Sequence, residues 1–192
     1  MILPREFYER DTLTVARELL GQILVHETEA GVTKGVIVET EAYLGELDDA
    51  AHSYKGKSER VRVQYGPAGH AYIYLIYGMY YCLNLTTGPL GMPEVVLLRA
   101  LEPVAGLELM EKRRKTDKLK NLCSGPGKLC QAMDIGKVQY GADCCGSGGL
   151  FVEYGGTTCQ IETSKRIGID YAVRSRDMPW RFTIAGNPFV SR

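Results

Sequence analysis

The chain has 192 residues, 23 basic and 23 acidic side chains, a formal net charge of +0 and 45% hydrophobic residues. This length and composition fit one packed globular domain. They exclude wholesale disorder, a collagen-like repeat and a protein that holds nucleic acid by bulk charge alone. The longest apolar stretch, Ala71 to Leu83, is too short and too rich in tyrosine to span a membrane, and Met1 to Arg10 is charged from the start and lacks a signal-peptide core, so no membrane association and a cytoplasmic location are expected.

In chain order, Asp11 or Thr12 caps a helix that carries Leu13, Ala16, Leu19 and Leu20 at helical spacing and ends at Gly21. Two strands, Gln22 to His26 and Val32 to Ala42, flank the turn residues Ala30 and Gly31. Glu46 to Ala51 opens a short helix, and the polar, basic stretch Tyr54 to Gly69 reads as loop. Ala71 to Leu85 is β-rich and interrupted by Gly78, and Val95 to Ala100 is a buried strand. Pro103 precedes a helix over Val104 to Lys115 with Leu107 and Met110 on one side, and Ser124 to Lys128 turns into another helix through Leu129, Ala132 and Met133. Tyr140 to Gly149 reads as an exposed glycine-rich loop, followed by strands at Leu150 to Tyr154, Thr158 to Thr163 and Arg181 to Ile184. Strands outnumber helices and several arrive in hairpin order, which points to an antiparallel or mixed sheet with helices outside it. No glycine-rich dinucleotide fingerprint follows any strand.

The six cysteines are even in number, but a chain of this length without an export signal is expected to keep them as reduced thiols. Cys123 and Cys130 lack zinc-knuckle spacing and no histidine neighbours Cys144 and Cys145, so no metal is expected. Charge is polarised. Seven basic residues between Lys112 and Lys128 face one acid, Asp117, while Glu39, Glu41, Glu46, Asp48 and Asp49 form an acidic run with no base. The basic run reads either as a solvated helix face or as a nucleic-acid patch.

Three features carry chemistry. The first is the apolar strand that runs into Glu39 and Glu41, whose side chains share one side because strand residues alternate. A carboxylate at the end of a buried strand suits a general base, although two salt-bridged or solvated glutamates give the same pattern. The second spans Tyr72 to Asn84. Tyr72 and Tyr74 share a face, and Tyr77-Gly78-Met79 stands at the tip of a hairpin, a wedge shaped to fill the gap left by a displaced base. An aromatic strand that serves only the core is the plainer alternative. The third pairs Asn84 with Arg99 at the end of an apolar strand, where Arg99 either holds a carboxylate and a water or makes a structural ion pair with Glu102.

Taken together, Val38-Glu-Thr-Glu-Ala-Tyr-Leu-Gly45, Asp49-Ala-Ala-His-Ser53, Tyr72-Ile-Tyr-Leu-Ile-Tyr-Gly-Met-Tyr80, Leu97-Leu-Arg-Ala-Leu-Glu-Pro103, Leu122-Cys-Ser-Gly-Pro-Gly-Lys-Leu-Cys130 and the shorter Gly186-Asn-Pro-Phe-Val-Ser191 resemble the alkyladenine (3-methyladenine) DNA glycosylase family of the mammalian and bacterial type. The resemblance implies one α/β (α+β) domain over residues 1–192, a curved antiparallel or mixed sheet with surrounding helices and a protruding hairpin. It implies an enzyme without cofactor or metal that excises damaged purines from double-stranded DNA, acting as a monomer and, in a bacterium, at the nucleoid. By position it implies Glu41 as catalytic base and Arg99 as the residue that helps hold the water. Tyr43, His52 and Tyr74 fall at base-stacking positions, and Asn84 at the position that screens out guanine. Tyr72, the intercalating Tyr77 and Met79 fall at the DNA-facing hairpin, and Gly125 and Lys128 in a phosphate-contacting segment. Gln64-Tyr65 stands where family members can carry Met-Phe, and Tyr140 to Gly149 matches no family segment.

The chemistry can be argued without the resemblance. A glycosidic bond to a purine breaks through an oxocarbenium-like sugar, and one carboxylate can both stabilise that charge and deprotonate the attacking water. Two other readings use the same residues: a non-catalytic nucleic-acid-binding module built on the aromatic hairpin and the basic run, and a nucleosidase acting on free nucleosides.

Overall fold

The computed structural model describes residues 1–156 and 159–191. Its spine is β2 (Gly31–Tyr43), a 13-residue strand that follows β1 (Ile23–Thr28) through a tight turn. One edge of β2 pairs along most of its length with β5 (Glu94–Ala105). The other edge pairs first with β1 and then, at Glu39 to Glu41, with β8 (Arg181–Ile184). The hairpin of β3 (Ala71–Ile76) and β4 (Tyr80–Thr87) adds to the free edge of β5, β6 (Leu150–Glu153) adds to β1, and β7 (Ile161–Ser164) pairs with β8. Every pairing is antiparallel, so the antiparallel form of the expected sheet is the one realised. The fold is α+β, a curled antiparallel sheet with helices packed outside it.

The helices are short: α1 (Arg5–Tyr8), α2 (Thr12–Glu18), α3 (Leu107–Arg114), α4 (Leu119–Leu122) and α5 (Pro126–Met133). Asp11 caps α2 as expected, its carboxylate accepting from the Thr14 amide at 2.9 Å. Alternation along β2 divides the sheet into two faces. Thr40 points at α2 and donates to the Ala16 carbonyl at 2.7 Å, and Ala42 joins the main core with Val15, Ala16, Leu19, Leu98 and Leu129. Glu39, Glu41 and Tyr43 point the other way.

Four expectations need correction. The strand predicted to stop at Ala100 continues to Ala105 and takes in Pro103. Proline is tolerated there because β4 pairs with β5 only over Glu94 to Leu97, so Pro103 lies beyond the inner ladder and its missing N–H costs no strand bond. The following helix starts at Leu107, after Gly106 turns the chain at φ 74°, and only Met110 of the two expected apolar residues is buried. The stretch Tyr54 to Gly69 contains a 3-10 helix, Glu59–Tyr65, which buries Val61 and Gln64. The glycine-rich stretch Tyr140 to Gly149 is not wholly exposed: Cys144 is buried and its amide donates to the Gly69 carbonyl at 2.9 Å. Thr158, the first residue of one predicted strand, lies outside the described residues. Among the described residues no helix is long and apolar enough to cross a membrane, and no group of three His, Cys, Asp or Glu side chains could hold a metal ion. The cysteines are free thiols.

Candidate active site

The β2–β5 ladder is irregular where it matters. Ile37 pairs with Leu101 and Glu39 with Ala100, so Val38 is an extra residue; Thr40 then pairs with Leu98, so Arg99 is extra on the opposite strand. Such bulges re-aim side chains. Here they bring Arg99 over both glutamates: its Nε donates to Glu39 Oε1 at 2.8 Å, and its Nη1 lies 3.5 Å from Glu41 Oε2. Arg99 therefore pairs with the glutamates and not with Glu102, which accepts from Asn187 at 2.9 Å.

The two carboxylates are both fully buried but are not equivalent. Glu39 also accepts from Arg181 Nε at 2.7 Å and from the Ser191 amide and hydroxyl at 2.7 and 2.9 Å. Burial alone would raise its pKa, but Arg99, Ser191 and Arg181 outweigh burial and hold it below the ordinary carboxylate value. Glu41 has weaker support: the Ile167 amide at 2.8 Å, the Tyr43 hydroxyl at 2.9 Å and the looser contact to Arg99. Burial dominates there and raises its pKa, with Arg99, the Ile167 amide and Tyr43 offsetting only part. The environments of the two adjacent carboxylates thus push their pKa values in opposite directions, Glu39 down and Glu41 up.

A cleft of about 630 Å³ lies over this pair, lined by Tyr43, His52, Tyr72, Tyr74, Tyr77, Asn84 and Arg99 among others. Seven of the residues singled out in the sequence thus meet in one place. Glu41 lies just behind the wall, since Tyr43, Arg99 and Ile167, which contact it, all line the cleft. His52 meets Tyr74 edge-on at 4.5 Å, and its Nδ1 is 2.8 Å from the Tyr72 hydroxyl. Burial against these rings, with the positive charge of Arg60, lowers its pKa to about 4, so the imidazole is neutral at pH 7. Tyr72, expected at the DNA surface, is buried and backs His52 and Tyr74 instead. Asn84 is buried and donates to the Tyr72 carbonyl at 3.1 Å.

At the hairpin tip Tyr77 and Gly78 have φ of 53° and 67°, the paired positive values of a type I′ turn, and Met79 donates to the Ile76 carbonyl at 3.2 Å. A tyrosine held at positive φ costs about 1–2 kcal/mol, and no core packing repays it: the Tyr77 side chain is 83% exposed and Met79 67%. Tyr77 borders the aromatic cleft, whereas Met79 borders a second groove beside α5. Gly125 and Lys128 do not line the cleft; Pro126 and Gly127 between them do, and Lys128 is exposed beside it. The basic run divides. Arg113 donates to the Ala132 carbonyl at 3.0 Å and Arg114 to the Leu122 carbonyl at 3.1 Å, so these arginines hold helix ends, while Lys112, Lys115, Lys118 and Lys120 are exposed.

One wall of the cleft is built by residues that have no motif. Arg166 is buried against Asp48, donating to both carboxylate oxygens and to the Ala42 carbonyl at 2.9 Å. Its guanidinium carbon lies 4.5 Å from the Tyr43 ring centroid and 4.9 Å from that of Trp180. The next residue, Ile167, supplies the amide on Glu41. Asp49 secures the same segment further on, accepting from the Val173, Arg174 and Ser175 amides.

The fold is an α+β sheet that carries a cleft lined by aromatic rings, with a pair of buried carboxylates behind its wall. The chain belongs to the methylpurine-DNA glycosylase family, whose family model matches residues 6–188. It is thus a DNA glycosylase, a DNA-repair enzyme whose partner is DNA. A protein of Methanocella arvoryzae named "Putative 3-methyladenine DNA glycosylase" is 52% identical over 192 residues, covering 100% of this chain and 96% of the relative. Proteins of the same name from Alkaliphilus oremlandii and Clostridium acetobutylicum are 48% and 49% identical over 201 residues, each covering 100% of this chain and, respectively, 100% and 98% of the relative.

Asp48, Asp49, Arg166, Arg181 and Ser191 were not singled out as site residues from the sequence. Asp49 and Ser191 stood in segments quoted for the resemblance without a role of their own, and Asp48 only in the acidic run that ends at Asp49; Arg166 and Arg181 carried no signal. Asp48→Asn leaves a buried guanidinium without its counter-charge. It is expected to cost about 3–5 kcal/mol, read as a lowered urea midpoint with an unchanged slope.

Proposed function

We propose that this single domain, residues 1–192, acts as a monomer in the cytoplasm (at the nucleoid in a bacterium). It takes alkylated or deaminated purines out of double-stranded DNA and hydrolyses the N-glycosidic bond with water activated by Glu41. The substrate class is that of 3-methyladenine, 7-methylguanine, hypoxanthine and etheno-adenine. The observation that carries this reading is the asymmetry of the buried pair. Glu39 has a full set of partners and is committed to the fold, while Glu41, poorly supported and with a raised pKa, lies against the aromatic cleft.

Each further role follows from position. Arg99 touches both carboxylates and favours the ionised form of Glu41 against burial, the form that takes a proton from water and faces the developing positive charge of the sugar. Arg166 covers one face of Tyr43 and is absent from the cleft lining, which leaves the other face to the incoming base. Tyr74 and the neutral His52 form a second aromatic surface. Electron-rich rings favour cationic methylated purines, and a neutral imidazole does not repel them. Asn84, fixed by its bond to the Tyr72 carbonyl, is placed to object to the 2-amino group of normal guanine. Tyr77, with Met79 beside it, fills the space vacated in the stack, and Lys128, next to Gly125, is exposed toward phosphate.

Glu41→Gln is expected to lower single-turnover base release from an etheno-adenine duplex by about 10³-fold while lesion-duplex affinity holds. Loss of both together would count against Glu41 as the base. In the native enzyme the carboxylate must be ionised, so the rate falls as pH drops through its pKa. That acid limb is expected above the ordinary value of 4.5 and absent from the glutamine variant. A non-catalytic module would release no base under any condition, and a nucleosidase would release it from the free nucleoside. Tyr77→Ser removes a stacking ring worth about 1–3 kcal/mol and is expected to weaken lesion-duplex binding about 5–150-fold in a fluorescence titration. Binding to undamaged duplex is expected to change much less.

A further inference from the structure

We propose that Gln64 is a specificity-determining residue of the cleft, its side-chain amide reading the edge of the displaced purine and favouring bases that present a hydrogen-bond donor beside an acceptor. The inference deepens the functional reading above, and rests on it for the identity of the ligand as a displaced base.

Gln64 lies on the 3-10 helix Glu59–Tyr65, one turn after Val61. Side chains three apart eclipse on such a helix, so the two share a face. Val61 packs there against Tyr72 and Val95. Gln64 is only 2% exposed and lines the cleft together with Tyr43, His52, Tyr74 and Asn84. An apolar side chain would fill that position at lower cost, because a buried amide is tolerated only when it is hydrogen-bonded. The chain instead places an amide where family members can carry methionine.

Among the described residues the Gln64 amide has one partner, the Tyr72 hydroxyl. The amide and the Arg60 guanidinium both favour the ionised form of that hydroxyl, as donors do. Two donors occupy the lone pairs of the phenol oxygen, so its own proton is left for His52 Nδ1, 2.8 Å away. The network thus holds one N–H of Gln64 on Tyr72. The second N–H and the carbonyl oxygen remain. No enclosed polar atom of Gln64 lacks a partner, so this donor and acceptor are the ones that reach the cleft.

A carboxamide in that state offers one donor and one acceptor side by side. Hypoxanthine, with N1–H beside O6, answers both at once, and so does 3-methyladenine, with N1 beside its 6-amino group. Such a bidentate match is the one by which glutamine reads adenine. In etheno-adenine a two-carbon bridge joins N1 to N6, so the same edge has no N–H and answers only the donor.

The test replaces Gln64 by methionine, an unbranched apolar side chain without an amide. Single-turnover base release is measured on duplexes that carry hypoxanthine or etheno-adenine. Affinity for each duplex is measured by fluorescence titration, which does not require turnover. Gln64→Met is expected to lower hypoxanthine release about 10–100-fold, the worth of a bidentate contact. Etheno-adenine release is expected to fall about 5-fold or less, the worth of one neutral hydrogen bond. The ratio of the two affinities is expected to move the same way. A release ratio of hypoxanthine to etheno-adenine that stays native or rises would overturn the proposal, because lost packing, or a disturbed Tyr72 and His52, affects both bases alike. Native protein that releases neither base would instead fail the catalytic reading, and the affinity ratio would then decide the role of Gln64 by the same criterion.

Discussion

Two buried carboxylates, the buried guanidinium of Arg99 and the partly buried one of Arg181 meet at the crossing of β2, β5 and β8, and the rest of the site depends on how that charge is shared. Removing an ion from water costs several kcal/mol, returned only where geometry and additional hydrogen bonds are good. Glu39 meets that condition, since Arg99, Arg181 and both donors of Ser191 converge on it. Having taken the Nε of Arg99, it leaves Glu41 the 3.5 Å contact. The better-supported acid thus leaves the other short of partners, and the shortfall is concentrated on Glu41, the member next to the cleft and the base of the proposed reaction. The bulge at Arg99 makes this possible, because a regular ladder would not set one guanidinium over two residues of the facing strand.

The same alternation that places the acids also separates function from folding. Residues of β2 facing α2 belong to the main core, and those facing the other way build the site. A change in the cleft therefore need not disturb the packing that holds the sheet together. The exception is the Arg166 wall, where a buried ion pair, a stacked tyrosine and the amide on Glu41 are mechanically one unit. In that wall stability and chemistry cannot be separated.

Much of this could be read from the chain because periodicity and chemistry coincided. The α2 cap, the two long strands, and the tyrosine-rich hairpin broken at Gly78 each have a local cause, and each stands as expected. The shared side of Glu39 and Glu41 followed from strand alternation alone. What was not legible is long-range. Nothing local distinguishes Glu39 from Glu41, because the difference lies in Ser191 and Arg181, some 140 or more residues away in sequence. Tyr72 and Tyr74 share a face and a residue type and both line the cleft, yet Tyr72 is buried with its hydroxyl against His52 Nδ1 while Tyr74 is only partly buried and meets the His52 ring edge-on. Pro103 looked like a boundary because a proline usually ends an inner strand, and only the short reach of β4 shows why it does not.

Net charge misleads for a related physical reason. A total of zero suggests a surface indifferent to a polyanion, but the sum counts charges that water and DNA never meet. Of the acidic run from Glu39 to Asp49, three members are fully buried, Asp49 is taken up by backbone amides, and Glu46 accepts from Tyr65. The arginines that neutralise the buried members are buried with them, so these acids and bases cancel inside the molecule. What remains is set by exposed residues such as those of the 3-10 segment, where Arg60 and Arg62 stand against Glu59, and of the loop after Arg166, where Arg174 and Arg176 balance Asp170 and Asp177. A chain can thus keep much of its negative charge inside, matched by arginines there, so that the total says little about the charge its surface presents. The sequence total records only that acids and bases are equal in number.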